Sequence, residues 1–175
     1  LSSLTPGVQI RYTTNGTVPT ATSSLYNSAI SVSRDTSVRA RAFGAGLNPS
    51  PISSAQYFVL DSTTSTFHSN LPLIVLDTAG SSIGENVQTT VSAMVLSKPA
   101  SGDTILTQTP EFVGRAGLNV RGQTSAGFPK KQYHFELWDE SNNDSKHSLL
   151  GMPTEADWVL YAPYSEKSLM QNQLA

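Results

Sequence analysis

RAGLNVRGQTSAGFPKKQYHFELWD, residues 115–139, is the stretch on which the fold turns. Ala116, Leu118 and Val120 alternate with small or polar neighbours, and so do Tyr133, Phe135 and Leu137 further on. A period of two is the mark of a strand with one buried face. Between the two runs lies RGQTSAG (121–127), rich in Gly, Ser and Thr and followed by Pro129. Two alternating runs joined by turn-forming residues predict an antiparallel pair of strands.

The same pattern extends outward. LPLIVLD (71–77) is almost continuously apolar, which predicts a strand buried on both faces. VQTTVSAMVL (87–96) is strand-like through Val91, Ala93 and Val95, although Val87, Val91 and Met94 also fit a helical spacing. After the polar ESNNDSK come LLGMP and a strand-like DWVLYAP (157–163), and Ser165 is placed to N-cap a helix over EKSLMQNQLA. Upstream, VQIRYTT puts Val8, Ile10 and Tyr12 on one face, and Asn15-Gly16 favours a tight type I′ turn. AISVS (29–33), TSVRARAF (36–43) and SAQYFVL (54–60) read as further strands around the loop GAGLNPSP. The expectation is a mainly β chain: an immunoglobulin-like antiparallel sandwich over 1–60, a polar linker over 61–70, and a β-rich α+β region over 71–175.

Bulk properties narrow the function. The chain has 175 residues, enough for one medium or two small domains with real cores. Only 14% of residues are charged and the net charge is −2, which gives no electrostatic basis for general nucleic-acid binding. Cysteine is absent, so disulfides, thiol catalysis and Cys-based zinc sites are excluded. No apolar run is long enough to cross a bilayer as a helix. The Ser/Thr/Gly-rich, Lys/Glu-poor composition suits an exported, extracellular or cell-surface β-protein. The chain opens with Leu1 rather than Met and stops inside the expected last helix, so it reads as a piece of a longer protein.

The residues offer several candidate sites. Arg121, Lys130 and Lys131 flank a Gly-rich loop whose backbone N–H groups can hold an anion, and cationic side chains beside it add charge. The competing reading is a hairpin end whose lysines are solvated, with Gly127 and Pro129 present for turn geometry; on the residues alone this is the commoner arrangement. Adjacent strand residues point to opposite faces, so Lys130 and Lys131 would not meet one ligand in the same way; which of them is the ligand is open, with Lys131 favoured. GSSIG (80–84) matches G-x-S-x-G around Ser82, but that motif needs a strand, turn and helix in a parallel sheet. DESNND (139–144) places oxygen atoms at alternate positions, yet Asp144 and Leu150 stand where a calcium loop needs Gly and Glu, so an Asn/Asp-rich turn is expected. His68, His134 and His147 are too far apart in sequence to suggest a metal site. Trp138, Trp158, Tyr161 and Tyr164 suit either sugar stacking or core packing, with core favoured for Trp158. Asn15-Gly16-Thr17 and Asn143-Asp144-Ser145 fit the glycosylation sequon and also read as turns.

Two family resemblances follow. IRYTTNGTVPTATSSLYNSAISVSRDTSVRARAFGAGLNPSPISSAQY (10–57) resembles the chitobiase/β-hexosaminidase C-terminal-type module in the order of its turn, Pro-Thr, Tyr and VRARAF strand. That likeness implies an immunoglobulin-type sandwich appended to secreted bacterial enzymes. LPLIVLDT (71–78), LNVRGQTSAGFPKKQYHFELWDE (118–140) and LLGMPTEADWVLYAPYSEKSLMQNQLA (149–175) resemble the opening of a CotH-type spore-coat kinase domain. Such a domain is similar to an atypical protein kinase that transfers phosphate from ATP to Ser residues of coat proteins. Two departures are Glu166, where the family tends to have Asp, and Gln171, where it tends to have Arg. The resemblance implies ATP and magnesium as cofactors of an intact parent, with Arg121, Lys130 and Lys131 on the phosphate side. The Asp residues that hold metal and do catalysis fall beyond Ala175, so the piece alone is expected to be inactive. The rival expectation is a non-catalytic polysaccharide-binding or surface-interaction module.

Overall fold

The computed structural model describes residues 1–164. The helix expected from Ser165, with Glu166 and Gln171, lies outside the described residues. The described chain is mainly β, with antiparallel sheets, and its only helical pieces are 3-10 turns at Thr64–Thr66 and Ser125–Gly127. Its contacts divide it into two compact units, Leu1–Ala79 with Ser92–Gly114, and Gly80–Val91 with Arg115–Ala175.

In the first unit β1 (Gln9–Thr13), β2 (Ser24–Leu25), β3 (Thr36–Phe43) and β4 (Ser53–Tyr57) form one antiparallel sheet in the order β2-β1-β3-β4. Ile10 pairs with Ala42 and Tyr12 with Ala40, so the apolar alternations of β1 and β3 share a face. Val38 and Ala40 are buried there, and the Tyr26 ring meets Tyr12 edge-on at 6.4 Å. Opposite, Arg39 is buried with Nη1 donating to the Gly16 carbonyl at 3.1 Å.

Two local expectations fail in this sheet. AISVS (29–33) forms no strand. Ile30 and Val32 are instead half-buried and line an apolar pocket with Tyr26, Val38 and Tyr57. Nor does Asn15-Gly16 make a type I′ turn, which needs positive φ at both residues. Only Gly16 has it (φ 74°). The Asn15 side chain accepts from the Thr17 N–H at 3.2 Å and its hydroxyl at 2.7 Å, closing an Asx turn.

Within 61–70, Asp61 anchors the Thr64–Thr66 turn by accepting from the N–H groups of Thr63 and Thr64 at 2.8 and 2.7 Å. β5 (His68–Ser69) then pairs with β8 (Thr104–Ile105), and His68 Nδ1 lies 2.7 Å from Asp103 Oδ2.

The remaining strands are β6 (Leu73–Asp77), β7 (Thr89–Leu96), β9 (Phe112–Arg121), β10 (Gln132–Trp138) and β11 (Asp157–Leu160), in the sheet order β11-β10-β9-β7-β6. LPLIVLD was expected to be buried on both faces, but β6 is an edge strand and each of its residues is only half-buried. The doubly buried strand is its partner β7, where Val91 through Leu96 are all buried. Leu73 pairs with Leu96 and Asp77 with Ser92, which settles 89–96 as strand rather than helix.

The second unit is built on the 115–139 hairpin. Val120 pairs with Tyr133, Leu118 with Phe135 and Ala116 with Leu137, so the two alternations face the same way. Leu118, Phe135 and Leu137 are 0–1% exposed, joined by Leu149 and Ala156 in the core.

Candidate functional site

The opposite face of that hairpin is polar. By alternation it carries Arg115, Gly117, Asn119 and Arg121 from β9, and Gln132, His134, Glu136 and Trp138 from β10. β11 adds Asp157, directly opposite Glu136, and Val159, opposite His134. Gly117 is buried because the Trp138 ring and the Gln88 side chain occupy the space where its Cβ would be. Held in that way, Gln88 Nε2 donates to Glu136 Oε2 and lies 3.3 Å from His134 Nδ1. The other ring nitrogen of His134, Nε2, sits 3.0 Å from Asp157 Oδ1. Asn119 Nδ2 donates to the Glu85 carbonyl at 3.0 Å, and the Val120 N–H donates to the Gly84 carbonyl at 2.7 Å, so segment 84–88 is tied to β9.

The loop between β9 and β10 is pinned at both ends. Arg121 pairs with Gln132 at the last rung of the ladder. Gly122 then takes φ 93° and leaves room for the Ser125 hydroxyl, which would collide with any side chain at 122. In the Ser125–Gly127 turn the N–H groups of Gly127 and Phe128 donate to the carbonyls of Thr124 and Ser125 at 3.2 and 3.1 Å. Lys131 folds back so that its Nζ donates to the Ala126 carbonyl. Arg121 and Lys130 are exposed, whereas Lys131 is half-buried. Arg121 therefore shares the polar face with His134 and Glu136, while Lys131 serves the loop itself.

Other candidates resolve more simply. Ser82 lies in the exposed loop between antiparallel β6 and β7, so there is no strand-turn-helix elbow around it. The 139–144 segment is a turn: Asp139 Oδ1 accepts from the N–H groups of Ser141 and Asn143 at 2.7 and 2.9 Å. Arg115 Nη1 and Nη2 donate to the Asp139 carbonyl at 2.7 Å and to Asn142 Oδ1 at 2.6 Å. These donors hold the Asp139 carboxyl below its ordinary range, the Asn143 N–H foremost. Trp158 is half-buried rather than fully in the core. Tyr161 and Tyr164 are exposed, with the Tyr164 ring tilted against Phe128 at 5.2 Å.

The convergence of His134, Glu136 and Asp157 was missed in sequence. One ligand atom from each lies within 4.8 Å of the others. His134-x-Glu136 was visible as two polar residues on one strand face, but its meeting with Asp157 depends on the β10–β11 register.

A mainly β chain with a cationic hairpin loop and a polar sheet face is the class that the fold defines. Residues 1–54 match the family model described as Chitobiase/beta-hexosaminidase C-terminal domain, and residues 118–175 match the one described as CotH kinase protein. The order is the one expected, and the second match covers the hairpin and its loop but not 71–117. Searches of curated proteins and of solved structures gave no match. Among the described residues no helix is long and apolar enough to cross a membrane.

Proposed function

We propose that this chain is part of an exported bacterial protein whose intact form transfers phosphate from ATP to an extracellular or coat protein. The observation that carries this reading is the CotH kinase match over 118–175, which spans the loop bearing Arg121, Lys130 and Lys131. Phosphoryl transfer is mostly positioning and charge neutralisation. The donor set fits a phosphate: two exposed cations flank a turn in which Gly127 leaves open space where a side chain would be. Arg121 and Lys130 would meet phosphate oxygens, and Lys131 would exchange the Ala126 carbonyl for one. Bound magnesium would offset the charge of the triphosphate. The chitobiase-type match over 1–54 supports the exported setting.

The test is calorimetry with ATP and magnesium on the protein carried through the remainder of the kinase-like domain, beside its Lys131→Ala and Arg121→Ala variants. Saturable binding that weakens at least about tenfold in the variants supports the reading, a loss of about 1.4 kcal/mol or more. A folded protein that does not bind ATP sinks it.

A second reading has its own observation. In the first unit an open, largely apolar pocket of about 450 Å³ is lined by Tyr26, Ile30, Val38 and Tyr57, and Tyr57 is 48% exposed. An aromatic rim on an apolar hollow suits the face of a sugar ring. Retention of the chain on insoluble polysaccharide, lost in Tyr57→Ala, would favour a carbohydrate-binding module.

A further inference from the structure

We propose that His134, Glu136 and Asp157 form a site for a divalent transition metal of the zinc class. His134 and Glu136 are two apart on β10 and so project from one face, and Asp157 stands opposite Glu136 on β11. Three ligands thus come from adjacent strands whose register is fixed by the ladder, not from a loose loop.

Distances suit the ion. His134 Nε2 and Asp157 Oδ1 are 3.0 Å apart, and one atom from each of the three residues falls within 4.8 Å of the rest. Nitrogen and oxygen ligands sit about 2.0–2.2 Å from zinc, which puts neighbouring ligand atoms about 3.3 Å from each other. Small side-chain rotations close the difference. An imidazole nitrogen beside two carboxylates favours zinc over calcium or magnesium, which prefer oxygen alone.

A separate observation points to a cation. Glu136 and Asp157 are directly paired across the ladder, and like charges in that position destabilise a sheet. An ion between them turns the repulsion into shared attraction. Gln88 backs the arrangement from behind, its Nε2 donating to Glu136 Oε2 and so holding that carboxylate in place. Gly117 is what lets Gln88 reach that position. The site is open, with the side chains of His134 and Asp157 32% and 54% exposed, so water can fill the fourth position.

The test is titration of zinc chloride into the chelator-treated full chain, followed by calorimetry and thermal melting, with X-ray absorption on the saturated protein. One saturable site with a nitrogen/oxygen shell is expected, together with a rise in Tm that a chelator reverses. Binding should fall at least about tenfold in His134→Ala and in the size-preserving Glu136→Gln, a loss of about 1.4 kcal/mol or more. Circular dichroism establishes that each variant is folded. His68→Ala and His147→Ala should bind as the parent does. Absence of saturable binding to the folded chain overturns the proposal. So does binding that survives His134→Ala but is lost in His68→Ala, which would place the ion at His68–Asp103.

Discussion

The Trp138 ring occupies the space that a side chain on residue 117 would fill. Gly117 is opposite Glu136 in the ladder, two rungs from the pairing of Trp138 with Arg115, so the indole lies diagonally across the sheet over the missing side chain. Gly117→Ala drives a methyl into that ring and into Gln88. Overpacking of this kind costs about 1–3 kcal/mol. A lower midpoint in urea, with altered tryptophan fluorescence, is the expected result; an unchanged midpoint would mean that the ring moves aside freely.

Phe135 anchors the other face of the same strand. It is fully buried, paired with Leu118 on one side and Trp158 on the other. Phe135→Ala should remove about 3–5 kcal/mol of stability, through lost transfer free energy and the cavity left behind. Val159→Ala on β11, where Val159 is 46% exposed, should stay within about 0.5 kcal/mol. Equal effects from the two would contradict the assignment of faces.

Arg115 is buried and ties the 139–144 turn to β9 through the Asp139 carbonyl and Asn142 Oδ1. Arg115→Met keeps the aliphatic stem and removes the donors. Hydrogen bonds from charged donors contribute about 1.5–3 kcal/mol each, so a drop of at least that size is expected in chemical denaturation. A neutral outcome would show that the turn holds itself.

Asp139 gives the turn a pH signature. The Asn143 N–H, the Asn143 side chain, the Ser141 N–H and Arg115 all favour its charged form, so its folded pKa lies below the ordinary 3.8. A depressed carboxyl contributes stability that is complete above the ordinary value and is lost as pH falls through the folded value. The Tm gap between the parent and Asp139→Ala should be widest near neutrality and close below about pH 4. A gap that is constant down to acid pH would remove the carboxylate from the account.

Much of the hairpin was legible because alternation reports burial directly. Ala116, Leu118, Val120, Phe135 and Leu137 all lie where period two puts them. Residues 71–77 misled because an apolar run reports hydrophobicity and not its neighbours. Strand order, which no local pattern encodes, made them an edge and placed β7 in the interior. Residues 29–33 alternate like a strand but have no partner in the ladder. At the candidate sites, the two ends of the loop were visible as Arg121 and Lys131. The bond from Lys131 to Ala126 was not, since it depends on the turn between them. Asp157 was invisible as a companion of His134 for the same kind of reason: twenty-odd residues of chain separate them, and only the register brings them together.

The six consecutive buried residues of β7 set a clock for the surrounding sheet. With a strand on either side and no solvent-facing stretch from Val91 to Leu96, their amides have no local route to water. They exchange hydrogen for deuterium only when the sheet opens as a whole, whereas the two-residue strand β2 frays on its own. The slowest amides of β7 therefore report the free energy of that opening.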